Sequence, residues 1–145
     1  MLLVGEVAGE RQMLGRAEFG KLAISVRELL HARIDLELER ARDERHEKLR
    51  LSRAAAAEHA RGYAGTREWR LNGPAKTCRP NLFVPPAGDR LPDREALLGT
   101  VEEAFCANRF FVLLDDRQAE SLDEMIEVER TGEATFLLLT PLQGG

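Results

Sequence analysis

Three histidines, two cysteines and several adjacent acid pairs are the residues of this chain that could bind a metal or move a proton. Their spacing argues against that chemistry. His31, His46 and His59 do not form a metal pair on one helical face. His46-Glu47-Lys48-Leu49-Arg50 opens like a zinc-protease helix but lacks the second histidine. No metal or bound cofactor is expected. Cys78 and Cys106 lack C-x-x-C spacing, and nothing in the sequence sets either beside a base that would lower its pKa. Glu102-Glu103, Asp115-Asp116 and Asp123-Glu124 could supply a general acid and base, yet adjacent acids without a desolvating site belong to a surface. There is no glycine-rich phosphate loop, so no catalytic residues are assigned and the chain is not expected to be an enzyme.

The other place where chemistry could reside is the tail, Pro141-Leu142-Gln143-Gly144-Gly145. Proline cannot continue a β-ladder. The two residues after Gln143 have no Cβ and admit close approach of another backbone. Such a tail is a slim arm that threads through a narrow slot and presents an unhindered Gly145 carboxylate to a nucleotide.

The elements that would position this tail follow from the hydropathy pattern. Leu2 to Ala8 and about Arg16 to Ile24 read as two extended stretches, separated by Gly9-Glu10 and Gly15. Ser25-Val26-Arg27-Glu28 is a capping box that starts a helix. Val26, Leu29, Leu30, Ile34, Leu38 and Ala41 recur at spacings of three and four, forming the face to be buried. From Arg40 to Arg50 nearly every residue is charged, so a continuing helix has no face to bury and leaves the core. Ser52 offers a cap for a second helix through Ala54 to Ala60, stopped by Gly62 and Gly65. Residues 66–92, with Pro74, Pro80, Pro85, Pro86 and Pro92, form a long irregular connection.

Asp93 caps a further helix from Arg94 to Ala107, with Ala96, Leu97, Val101, Ala104 and Phe105 on its apolar face. Phe110 to Leu114 is a short buried strand ended by Asp115-Asp116. Leu122, Met125, Ile126 and Val128 mark a short stretch of undecided type. Thr131-Gly132-Glu133 is a turn, and Ala134 to Thr140 is the last strand.

The chain has 145 residues, 43% of them hydrophobic and 32% charged, enough to bury a single core without disulfides. Two cysteines suit a reducing compartment. The longest apolar run, Phe110 to Leu114, is far short of the roughly 20 residues that span a bilayer. Met1-Leu2-Leu3-Val4 has neither the basic leader nor the length of a signal peptide, so a cytoplasmic location and no membrane association are expected. The net charge of −4 conceals an asymmetry: residues 26–70 carry 11 basic and 9 acidic groups, while residues 89–145 carry 5 and 13. Basic residues of the first segment alternate with acids along the chain and form no stripe that would follow a phosphate backbone, so no nucleic acid partner is expected. The acidic second half could steer a basic partner surface.

The run Ala134-Thr135-Phe136-Leu137-Leu138-Leu139-Thr140 and the tail Pro141-Leu142-Gln143-Gly144-Gly145 resemble the last strand and tail of β-grasp sulfur carriers, above all the small subunit of molybdopterin synthase. They also resemble small archaeal modifiers and, more remotely, ubiquitin. Thr140 stands where the molybdopterin subunit has the first of two prolines. Phe111-Val112-Leu113-Leu114-Asp115-Asp116, Thr131-Gly132-Glu133 and Ser25-Val26-Arg27-Glu28-Leu29-Leu30 are similar to that family's middle strand and turn, last turn and helix start. The resemblance covers residues 1–40 and about 95–145. It implies one α+β domain of β-grasp (ubiquitin-like) fold in the order strand, strand, helix, strand, strand, with a helical and loop insertion at about 41–92 and a flexible tail at 141–145. The helix stripe with Phe111, Leu113, Phe136 and Leu138 would form its core.

The same resemblance implies a function at the C-terminus. An adenylating activating enzyme, using ATP and Mg²⁺, would convert the Gly145 carboxylate to a mixed anhydride, gripping Leu137, Leu139, Pro141 or Leu142. Transfer through a thioester to a target amine is conjugation, with a conjugating enzyme, a deconjugating protease and protein targets as partners. Reaction with sulfide instead gives a thiocarboxylate, the chemistry of a sulfur carrier for cofactor biosynthesis. The inserted residues give a recognition surface that favours conjugation. Self-linked chains would use Lys21, Lys48, Lys76 or the N-terminal amine. A non-catalytic interaction module with an inert tail is the reading of another class.

Overall fold

The computed structural model describes residues 1–60, 81–85 and 90–138. In chain order the elements are β1 (Leu2–Val7), β2 (Glu10–Arg16), β3 (Ala23–Ser25), α1 (Val26–Ala60), α2 (Arg94–Cys106), β4 (Phe110–Leu114), β5 (Arg117–Gln118), β6 (Met125–Glu127) and β7 (Glu133–Leu138). The fold is mixed α+β. Five strands form a mixed sheet in the order β2-β1-β7-β4-β5, and β3 pairs with β6 in a second, two-stranded sheet. β1 runs parallel to β7, while the other neighbours in both sheets are antiparallel. No described helix is long and apolar enough to cross a membrane.

The first hairpin is tighter than the glycine pattern suggests. Ala8 and Gly9 both have positive φ, 53° and 82°, so Val7 pairs directly with Glu10 and the second strand begins there instead of at Arg16. β2 is an edge strand of sequence Glu-Arg-Gln-Met-Leu-Gly-Arg, and its polarity hid it from a search for apolar alternation. Arg16 to Ile24 is therefore not one strand. β2 ends at Arg16, and Ala23–Ser25 pairs elsewhere, with β6.

α1 starts at the capping box. The Glu28 amide donates to Ser25 Oγ at 3.1 Å, and the Ser25 amide donates to the Glu28 carboxylate at 2.8 Å. Val26, Leu29, Leu30, Ile34, Leu38 and Ala41 are all buried, as their spacing predicts. Beyond Ala41 the helix continues without a break to Ala60, about 52 Å in all at 1.5 Å per residue. Ser52 is an exposed residue within it and caps nothing. The two predicted helices are one because Arg40 to Arg50 consists almost wholly of good helix formers, joined at the surface by the Glu47–Arg50 pair. The stops expected at Gly62 and Gly65 lie outside the described residues.

α2 matches its predicted span to within one residue at its C-terminal end, and its Asp93 cap accepts from the Ala96 amide at 3.2 Å. Arg94 clasps Asp35 at 2.6 and 3.2 Å, and His31 meets Glu102 at 2.9 Å, fastening α2 to α1. The core then closes against the sheet. In β4 the buried residues are Phe110, Val112 and Leu114, not the expected Phe111 and Leu113. Register explains this: Val112 lies opposite Phe136 and Phe110 opposite Leu138, so these residues share the α1 side. Leu138 is half-buried against that core.

Residues 81–84 also enter the core, although they fall within the range read as an insertion. Val84 is buried, and the Phe83 ring lies 4.9 Å from that of Phe110 and 6.2 Å from that of Phe136. The body therefore reclaims this short return segment.

Replacing Phe136 by Ala should lower stability by about 3–5 kcal/mol, and Phe111→Ala by less, about 1–2 kcal/mol. Equilibrium urea unfolding of both variants checks the side assignment, and the reverse ranking would contradict it. The capping box also predicts an acid limb. The Lys21 ammonium, then the Ser25 amide, holds the Glu28 carboxyl below its ordinary value of 4.5. Its contribution to stability is present above that value and is lost as pH falls below it. Glu28→Gln should flatten the decline of Cm with acidification.

Candidate functional site

The sheet has one face on α1 and another turned away from it. Cross-strand register builds the outer face in rows: Val4, Thr135 and Leu113, then Glu6, Leu137 and Phe111. Met13 lies opposite Val4 and Arg11 opposite Glu6. Val4 and Thr135 are buried even on this side, Leu113, Leu137 and Phe111 are half-buried, and Met13 is 67% exposed. The Arg11 side chain pairs with Glu133, spanning the row of Val4 and Thr135. The outer face is thus an apolar strip with charged groups along it, and Leu137 is the last outward residue of β7.

Of the residues assigned to the tail chemistry, Leu137 is placed as β-alternation requires, beside Phe111 and away from α1. Leu139, Pro141, Leu142, Gly144 and Gly145 lie outside the described residues, as does Lys76. Lys21 is tied to Glu28 in an ion pair. Lys48 stands exposed on the distal part of α1. The Met1 nitrogen donates to the Ala17 carbonyl at 3.1 Å. These amines are therefore spread over the molecule and do not converge. No group of three or more His, Cys, Asp or Glu able to hold a metal occurs among the described residues.

Behind the sheet lies a feature that the sequence reading did not single out. Arg33 and Glu37 are both fully buried, and Arg33 Nε donates to Glu37 Oε2 at 2.6 Å. The other carboxylate oxygen of Glu37 accepts the amides of Phe83 and Val84 at 2.8 and 3.1 Å, while Asn81 Nδ2 donates to the Glu37 carbonyl at 3.1 Å. The Arg33 guanidinium lies 5.0 Å over the Phe136 ring. Burial draws the Arg33 pKa below its ordinary value, and the Glu37 charge opposes that shift. One carboxylate thereby fastens the return segment to the helix beneath β7.

Gly5 on β1 completes this arrangement. A Cβ there would come within 3.1 Å of the Leu82 side chain and 3.2 Å of Arg33 Nη2. A signal for the pair was present in the sequence. Arg33 and Glu37 fall at helical spacing inside the stripe of Leu30, Ile34, Leu38 and Ala41, where two exposed charges would be out of place.

No family model, curated relative or solved structure matches the chain.

Removing one member of the buried pair should be costly, because it strands a charge without its partner. Glu37→Leu is expected to lose about 3–5 kcal/mol of stability. It should also deprotect the Phe83 and Val84 amides in hydrogen exchange. Retained protection at both amides would show that the segment is held by ring packing alone.

Proposed function

We propose that this chain is a ubiquitin-like protein modifier of β-grasp fold, whose Gly145 carboxylate is adenylated and then transferred to a target amine. The observation that carries the reading is the arrangement of the principal sheet. With β3, α2, β5 and β6 set aside as additions, two strands, a helix and two further strands come in the chain order β1, β2, α1, β4 and β7, with the first and last side by side and parallel. That is the order the resemblance implies. β7, the middle strand of the sheet, is also the last described element before the tail. The outer strip of Leu137, Phe111 and Met13 offers an activating enzyme an apolar grip that reaches the C-terminal end of β7.

The chemistry proceeds by exchange of acyl partners. The Gly145 carboxylate attacks the α-phosphate of ATP, with Mg²⁺ supplied by the enzyme, and expels pyrophosphate. A thiolate of the enzyme displaces AMP to give a thioester. A target amine then displaces the thiolate to give an amide. Gly144 and Gly145 serve this sequence by fitting a narrow slot. α1 beyond Ala41 supports conjugation over sulfur carriage, because it adds a recognition surface outside the sheet and its helix stripe.

Intact mass spectrometry and blotting of N-terminally tagged protein from its own host, with and without Gly144-Gly145, test the reading. Higher-mass adducts that vanish in the deletion are expected. A free protein heavier by the difference between sulfur and oxygen would show a sulfur carrier, and neither species in the presence of cognate enzymes would leave an interaction module. Among self-linked products, Lys48→Arg should remove more than Lys21→Arg, since the Lys21 ammonium is engaged by Glu28. Peptide mapping of the linkages checks this ranking.

A further inference from the structure

Charges that alternate along residues 42–53 separate once they are wound on one helix. At about 100° per residue, Arg42, Arg45, His46, Leu49, Arg50 and Arg53 fall within an arc of about 140° on α1. Asp43 borders this arc about 20° beyond Arg50, Glu47, Glu44 and Lys48 lie further round the helix, and Glu47 pairs with Arg50 at 2.6 Å. Leu49, 48% exposed, sits at the middle of this face. His46, Leu49, Arg50 and Arg53 together line one surface hollow. An exposed leucine ringed by four arginines and a histidine is a contact surface for something acidic that also offers an apolar group.

The same chain carries such a surface. Residues 115–130 hold seven acids and two arginines. Asp115, Asp116, Glu120, Asp123, Glu127 and Glu129 are exposed there. In their midst Met125 is 58% exposed, and it shares a hollow with Asp116 and Glu127. Both arginines of the stretch are already paired, Arg117 with Glu124 and Arg130 with Glu127. Opposite charge and an exposed apolar residue therefore stand on two separate parts of one molecule.

We infer that the occupant of the basic face of α1 is a second copy of this chain, docked through its acidic surface around Met125. The contact is head to tail: the arm of one copy meets the body of the next, so it propagates into an open chain or closes into a ring. A protein partner is favoured over a phosphate backbone by the apolar centre at Leu49 and by Asp43 and Glu47, the acids that border the basic face. Association of this kind is strongly screened by salt.

Sedimentation velocity at about 20 mM and about 500 mM salt, where the screening length falls from roughly 20 Å to roughly 4 Å, provides the test. The wild type should associate with rising concentration in low salt and be monomeric in high salt. Arm reversal (Arg45→Glu with Arg53→Glu) and body reversal (Asp116→Lys with Glu129→Lys) should each weaken self-association by about tenfold or more, with circular dichroism and Tm unchanged. Mixing the two variants should restore association, because each then offers what the other lacks. A wild type that stays monomeric at low salt, association insensitive to both reversals, or variants that fail to rescue each other would overturn the inference. So would low-salt monomers that bind a fluorescent oligonucleotide through the same arginines.

Discussion

The parallel pairing of β1 with β7 is the constraint on which the rest of the fold depends. Parallel neighbours cannot be joined by a tight turn, so the chain between them must cross from one end of the sheet to the other. Here that crossing contains everything from β2 to β6, and α1 covers one face of the sheet on the way. β4 can then reach the free edge of β7, and β5 the outer edge of β4. If β7 paired only with β4, Leu3, Ala134 and Phe136 would no longer share one core beneath α1, because the β1–β7 register is what aligns them.

A buried ion pair is an unusual way to finish such a core. Desolvating Arg33 and Glu37 carries a penalty that their mutual attraction repays only when the remaining polar atoms are also engaged. Glu37 meets that condition through the amides of Phe83, which is half-buried, and Val84, which is buried, neither of which belongs to a strand. The pair thus converts a helix position into an anchor for irregular backbone. Apolar side chains at 33 and 37 would pack well but could not receive those amides. The absence of a side chain at Gly5 belongs to the same solution, since Leu82 and Arg33 occupy the space that a Cβ would need.

What could be read from the sequence divides along these lines. The capping box at Ser25, the buried stripe of α1, the span of α2 and the presence of β4 and β7 all rest on local patterns, and local patterns were legible. Which side of β4 faces the core was not. Phe110 to Leu114 is apolar on both sides, so alternation carries no information there, and only pairing with Phe136 and Leu138 decides. β2 escaped because its residues are chosen for an exposed edge. Residues 81–84 escaped because their hold on Glu37 spans 46 and 47 residues of chain, a separation no local pattern reports. For the proposed site, the outward position of Leu137 followed from period-two alternation, whereas its neighbours Phe111 and Met13 needed the register.

The distal part of α1 shows how one anchored segment can fix the form of another that buries little. Helix nucleation is unfavourable, while adding a residue to an existing helix of good formers is nearly neutral or favourable. The docked turns from Val26 to Ala41 supply the nucleus, so the following turns need only propagate through Arg, Glu, Lys, Leu and Ala. Released from core packing, their side chains are free to be chosen for what they present. A nearly all-charged stretch with no face to bury is then a rod, and its helical winding groups Arg42, Arg45, Arg50 and Arg53 in a way that linear order conceals. The core thus acts on this surface at a distance, through the helix axis alone: where α1 is started and held determines which way Leu49 and its arginines face.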